Sequence, residues 1–126
     1  MTMLRIRMSI VMLAATTAVG CASDPYRLDG PRSVEGFLLA PFAIQEECVA
    51  LQPHERIDYR FKSTAPIAFN IHYHDANAVI MPLSRDGVLE DAGDFTAEFD
   101  QIYCLMWEAG VQGGVLDYRL RPLPRR

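Results

Sequence analysis

The chain has 126 residues, 50% of them apolar, with 12 basic against 16 acidic side chains and a net charge of −4. Its length gives room for one domain with one core. With Lys62 as its only lysine and acid in excess, it offers no footprint for a phosphate backbone, which excludes nucleic acid as a partner.

The first residues, "MTMLRIRMSIVMLAATTAVGC", place Arg5 and Arg7 ahead of an apolar run from Met8 to Val19. That run is too short and too close to the terminus for a spanning helix, and it predicts a secretory signal over residues 1–20. Its end, Ala18-Val19-Gly20-Cys21, resembles a bacterial lipobox with Ala18 where Leu is usual, which predicts cleavage before Cys21 and lipid on its sulfur. The competing expectation is a plain secretory signal that ends near a cysteine. Acyl chains contribute about 0.8 kcal/mol per buried CH₂, enough for several of them to anchor a small domain. Ala22 and Ser23 follow Cys21 in place of the Asp that resembles an inner-membrane retention signal, so the expected address is the outer membrane, facing the periplasm. Removing the signal takes Arg5 and Arg7 with it, leaving 10 basic and 16 acidic residues and a charge of −6.

Lipid on Cys21 leaves Cys48 and Cys104 as a pair in an oxidising compartment, which predicts a disulfide. The alternative is two free thiols for metal or redox chemistry, although neither lies in a Cys-x-x-Cys.

Residues 21–36 are polar and broken by Pro25, Gly30 and Pro31, which predicts a flexible tether ahead of a domain over 37–126. Beyond it the apolar residues recur with period two and never with a sustained helical period. One strand is expected over Phe42 to Leu51. Ile57, Tyr59 and Phe61 alternate with Asp58, Arg60 and Lys62, as in a half-buried strand. After a break at Thr64-Ala65-Pro66, Ile67, Phe69, Ile71 and Tyr73 repeat the pattern and leave Ala68, Asn70, His72 and His74 on the other face. Turns are expected at Asp75-Ala76-Asn77 and Asp86-Gly87, with short strands at Ala78 to Met81 and Phe95 to Phe99. Ile102 to Trp107 is apolar on both parities, as a strand covered on both sides would be. Val115 to Leu120 closes the domain before Pro122 and Pro124 end pairing. The expected architecture is an all-β antiparallel sandwich of seven to eight strands.

The segments "IDYRF", "PIAFNI", "GDFTAEF", "YCLMW" and "LDYRL", in that order, resemble the strand pattern of GOLD-type β-sandwich domains. The resemblance spans Glu47 to Leu120 and rests on core pattern. It implies a non-catalytic module that binds proteins or lies against membranes. The chain departs from the eukaryotic members in carrying a lipid-anchor signature in place of a following membrane helix.

Catalytic chemistry finds little to work with. Ser63 and Ser84 are the only serines after Glu47, and neither sits in a Gly-x-Ser-x-Gly elbow. The acidic run from Glu90 to Asp94 lacks the spacing of a calcium loop and is expected to be a solvated loop. Tyr103 and Trp107 are expected to fill the core rather than line a ligand groove. Cupredoxin-type copper and a superoxide dismutase site both need histidines beyond His74, and none follows. The remaining candidate is His72-x-His74. Residues two apart on a strand lie about 6.6 Å apart on one face, so both imidazoles could meet one copper or zinc ion, with Met81 on the neighbouring strand as a further donor. The plainer expectation is a wet polar strand face with no cofactor at all. A lipid-anchored envelope module without enzymatic activity, held to the membrane and to an envelope protein partner, is the first functional expectation, and a periplasmic metal-binding or delivery protein is the second.

Overall fold

A computed structural model describes residues 24–126; the expected signal and the lipidation cysteine, Cys21, lie outside the described residues. Six strands and no helix occur among the described residues: β1 (Arg32–Leu39), β2 (Ile44–Leu51), β3 (Arg56–Asp75), β4 (Ala78–Thr96), β5 (Gln101–Ala109) and β6 (Gly114–Leu123). All strand pairs are antiparallel, in the order β1-β6-β3-β5-β2, with β4 on the free side of β3.

The long strands β3 and β4 determine the shape. The first half of β3, Arg56 to Ser63, pairs with β6, and the second half, Ile67 to His72, pairs with β5. β4 follows β3 along both halves, with three irregularities in its register. The β1–β2 and β5–β6 connections cross between the same two halves, so a sheet four strands wide folds back on itself and buries its inner face as a curled half-barrel.

The expected count of seven to eight strands is corrected to six, because Thr64-Ala65-Pro66 and Asp86-Gly87 bend strands that they were expected to end. Proline lacks the N–H that a ladder requires. Pro66 falls in the gap between the last β6 pair, Ser63 with Leu116, and the first β5 pair, Ile67 with Ala109, where a hydrogen-bond donor is not needed. Gly87, at a φ of +61°, takes a bulge between the pairs Ile67 with Val88 and Phe69 with Arg85. Pro122 is also still paired, with Ile57.

The core consists of the inward parity of each strand: Ile57, Tyr59, Phe61, Ile67, Phe69, Ile71 and Tyr73 from β3, Tyr103, Leu105 and Trp107 from β5, and Leu116, Tyr118 and Leu120 from β6. Trp107 stacks on Tyr118 at 4.5 Å and on Phe69 at 5.4 Å between ring centres. Tyr103 and Trp107 are therefore core residues.

Three boundaries move, one of them the strand expected over Phe95 to Phe99, which ends at Thr96. The segment expected as a tether, 21–36, already contains strand β1 from Arg32, and Tyr26 forms a parallel bridge with Val49. The acidic run Glu90 to Asp94 is strand rather than loop: Asp91 accepts from the Tyr59 hydroxyl at 3.2 Å, and Asp94 pairs with Arg56 at 2.7 Å.

Candidate functional site

The even-numbered residues of β2, β5 and the second half of β3 form the outer face of one half of the sheet. Cys48, Cys104 and His72 occupy one row of directly opposed positions, and Glu46, Met106 and Asn70 occupy the next. Cys48 and Cys104 are joined by a disulfide across a Cα separation of 4.0 Å, which fits a closely spaced antiparallel pair.

Beside this bridge His72 is buried, at 5% exposure, as is Asn70. The wet strand face expected here is corrected for these two residues, because the cystine and Glu46 stand beside the imidazole. His72 Nδ1 lies 2.7 Å from Asn70 Oδ1, and Nε2 lies 3.2 Å from Glu46 Oε1. His74 is exposed, with its ring centre 5.4 Å from that of His72, and Met81 is exposed on β4.

Ligand atoms of Glu46, His72 and Cys104 lie within 4.8 Å of one another. Cys104 cannot serve as a thiolate donor while its sulfur is bonded to Cys48, since metals are bound by the deprotonated thiol. The donors that stay near one point are Glu46 and His72; His74 lies beside His72 but is not gathered with them. Two donors fall short of the four ligands of structural zinc and of the three of an open site.

Burial pushes the pKa of His72 down; the Glu46 carboxylate opposes this, and His74 adds to it. A histidine with a depressed folded pKa binds fewer protons folded than unfolded. Its contribution is therefore complete above the unfolded value of about 6.5 and is lost as pH falls below it towards the folded value. We expect denaturant midpoints of the natural chain to fall between pH 7.5 and pH 5, and the fall to be smaller in His72→Gln. Equal pH slopes for the two proteins would contradict this.

A second feature escaped the sequence reading. Glu47, at 1% exposure, points inward among apolar residues. Its carboxylate accepts hydrogen bonds from Tyr26 Oη at 3.0 Å, from Arg32 Nε at 2.7 Å and from the Tyr118 hydroxyl. Tyr118 also accepts from Gln45 Nε2 at 3.0 Å. Burial first, and then the adjacent Glu47 charge and hydrogen bond, push both phenol pKa values up, so both hydroxyls stay protonated donors. The signal was present in the sequence: Glu47 shares the parity of the core residues Val49 and Leu51.

A third feature is the crest where the sheet folds over. The stretches 36–45, 63–68 and 109–116 contain no charged residue and meet there. Phe42 N donates to Gly110 O at 3.2 Å, and Val115 N donates to Thr64 Oγ1 at 2.9 Å. Leu38, Phe42, Ile44 and Val111 are exposed on this crest, at 77%, 66%, 56% and 72%. Phe42 has a φ of +60°, a left-handed conformation that an aromatic residue rarely adopts.

No family model matches the sequence, and no curated protein matches it. Among solved structures, the chain is similar to PliG of Aeromonas hydrophila, a periplasmic inhibitor of g-type lysozyme, with a TM-score of 0.57 and 9% identity over 75% of this chain and 87% of that one. It is equally similar to the pre-peptidase C-terminal domain of a collagenase from Bacillus anthracis, with a TM-score of 0.57 and 13% identity over 82% of this chain and 99% of that one. At such identities the likeness shows the fold alone: a small β-sandwich-like domain.

Proposed function

We propose that the chain is a lipid-anchored binding module of the cell envelope, without catalytic activity, which engages a protein partner through its uncharged crest. The observation that carries this reading is Phe42. An exposed aromatic ring held in a left-handed backbone costs of order 1 kcal/mol, and such strain clusters at binding and active sites. Aromatic residues on a rigid support are also the usual anchors of protein interfaces. The absence of charge around the ring favours an apolar cleft on a protein over an ionic surface. The periplasmic setting of one structural neighbour and the lipobox at Cys21 support the envelope address, and the parities of β3, β5 and β6 support the GOLD-like core pattern.

The second reading, a copper or zinc site at His72 and His74, draws support from the Glu46 carboxylate 3.2 Å from His72 Nε2. One experiment separates the two. A photo-crosslinking residue placed at Phe42 or Val111 of the full chain should give a discrete adduct in intact envelopes, whereas the same residue at exposed Leu89 on β4 should not. Cys21→Ser should release the domain from membranes. Adducts equally frequent at Leu89, or tight membrane retention of a processed Cys21→Ser chain, would overturn the module reading. About one equivalent of copper or zinc in the same purified sample, lost in the His72→Gln, His74→Gln double variant, would establish the metal reading in its place.

A further inference from the structure

The outer face of the other half of the sheet carries charges in rows. One row runs Arg121, Asp58, Asp94 across β6, β3 and β4, and another runs Asp117, Lys62, Glu90. Each row mixes the signs, and each is held by an ion pair: Arg121 with Asp58 at 2.7 Å, and Lys62 with Asp117 at 3.4 Å. The row between them is different. It reads Ser33, Arg119, Arg60, Ala92 across β1, β6, β3 and β4, so two arginines stand directly opposite each other with a small residue on either side.

Like charges at opposed positions of an antiparallel pair destabilise a sheet. The chain had carboxylates to spare for them. Of the ten lysines and arginines among the described residues, seven form ion pairs, and the three that do not are Arg60, Arg119 and the terminal Arg126. In a protein with acid in excess, the two unpaired arginines within the fold are neighbours. They line a depression of about 400 Å³ that also includes Ser33, Glu35, Lys62, Glu90 and Asp117. Of its three acids, Asp117 is engaged by Lys62 and by the Gly36 N–H at 2.7 Å, whereas Glu90, opposite Lys62, and Glu35, on β1, form no ion pair and stand beside the arginines without closing on them.

We infer that Arg60 and Arg119 form a binding site for one oxyanion group, a phosphate or a carboxylate carried by a ligand. Neighbouring strands are about 4.8 Å apart, so two guanidinium forks rise from adjacent points and can grip a single group from both sides. An anion between them relieves the repulsion that the empty pair bears, and the Ser33 hydroxyl stands next to Arg119 as a further donor. The site lies on the opposite half of the sheet from His72 and is independent of the crest.

The test is an NMR titration of the ¹⁵N-labelled full chain with inorganic phosphate and with acetate, at ionic strength held constant by sodium chloride. The Nε–H signals of Arg60 and Arg119 should shift saturably, and Arg119→Gln should bind at least about tenfold more weakly, as expected for the loss of a charge-assisted contact. Without anion, Arg60→Gln and Arg119→Gln should melt no earlier than the natural chain, since each removes a repulsion. A structural role for the pair would instead lower the melting temperature. Sedimentation with phosphatidylglycerol vesicles, against phosphatidylcholine vesicles, identifies the source: a difference that the Arg60→Gln, Arg119→Gln variant abolishes assigns a lipid headgroup, and saturation by free phosphate alone assigns a soluble ligand. Identical titrations for the natural chain and the double variant, or shifts reproduced by chloride, would overturn the inference.

Discussion

Replacing Cys48 and Cys104 together by alanine should lower stability by about 4 kcal/mol, the chain-entropy cost of opening a loop of roughly 57 residues. For a domain of this size that is on the order of a 15–30 °C fall in melting temperature. The location of the bridge sharpens the expectation. β2 ends its side of the sheet and is held by β5 on one flank and by the single Tyr26 bridge on the other, so the cystine ties down a strand with few other bonds. Thermal unfolding with and without a reductant, and of the double alanine variant, checks this. A shift under about 5 °C would mean that the bridge contributes little to the folded state.

Glu47→Ala should cost about 3 kcal/mol, because it leaves buried hydroxyl donors without an acceptor, at about 1–3 kcal/mol for each such group, while the half-exposed Arg32 can turn to water. The loss has three parts in one place: the Tyr26 and Tyr118 hydroxyls lose an acceptor, and Arg32 loses its carboxylate. Glu47→Gln should cost less, because its amide oxygen still accepts from one or two of these donors. Urea unfolding measures the difference, and hydrogen exchange locates it. The amides of Tyr26 and Ala50, which bond across the edge of β2, should lose protection first. An alanine variant within about 0.5 kcal/mol of the natural chain would show that the cluster is incidental.

The inward set of β3 was legible residue by residue, because period two reports which face a side chain takes. The same parity held a clue to continuity. Phe61 and Ile67 are separated by an even number, so the inward face passes unbroken through Thr64-Ala65-Pro66, as one bent strand allows. Proline and Asp-Gly signal that straight pairing fails, and they do not distinguish a reversal of the chain from a fold in the sheet. The disulfide was legible by arithmetic, once lipid on Cys21 and an oxidising compartment were expected. The burial of His72 was not, since it depends on Cys104 arriving opposite it from a strand 32 residues later, and pattern along one strand carries no information on such neighbours. Arg60 and Arg119 look like ordinary outward charges in their own strands, and only the register of β3 against β6 makes them a pair.

The Tyr26 bridge also sets how the molecule would bear a pull. Tension applied through the residues before Asp24 meets the sheet at Tyr26, where the Tyr26 N–H bonds to Cys48 O at 3.2 Å and the Ala50 N–H bonds to Tyr26 O at 2.8 Å. Those bonds bracket Val49, next to the cystine, so force passes from Tyr26 into β2 and through a covalent link into β5 before β1 is loaded. The weakest element on that path is the pair of backbone bonds at Tyr26, seconded by its hydroxyl on Glu47. Under load the chain would peel there first and extend by the few residues up to Arg32, while the domain behind the cystine keeps its shape.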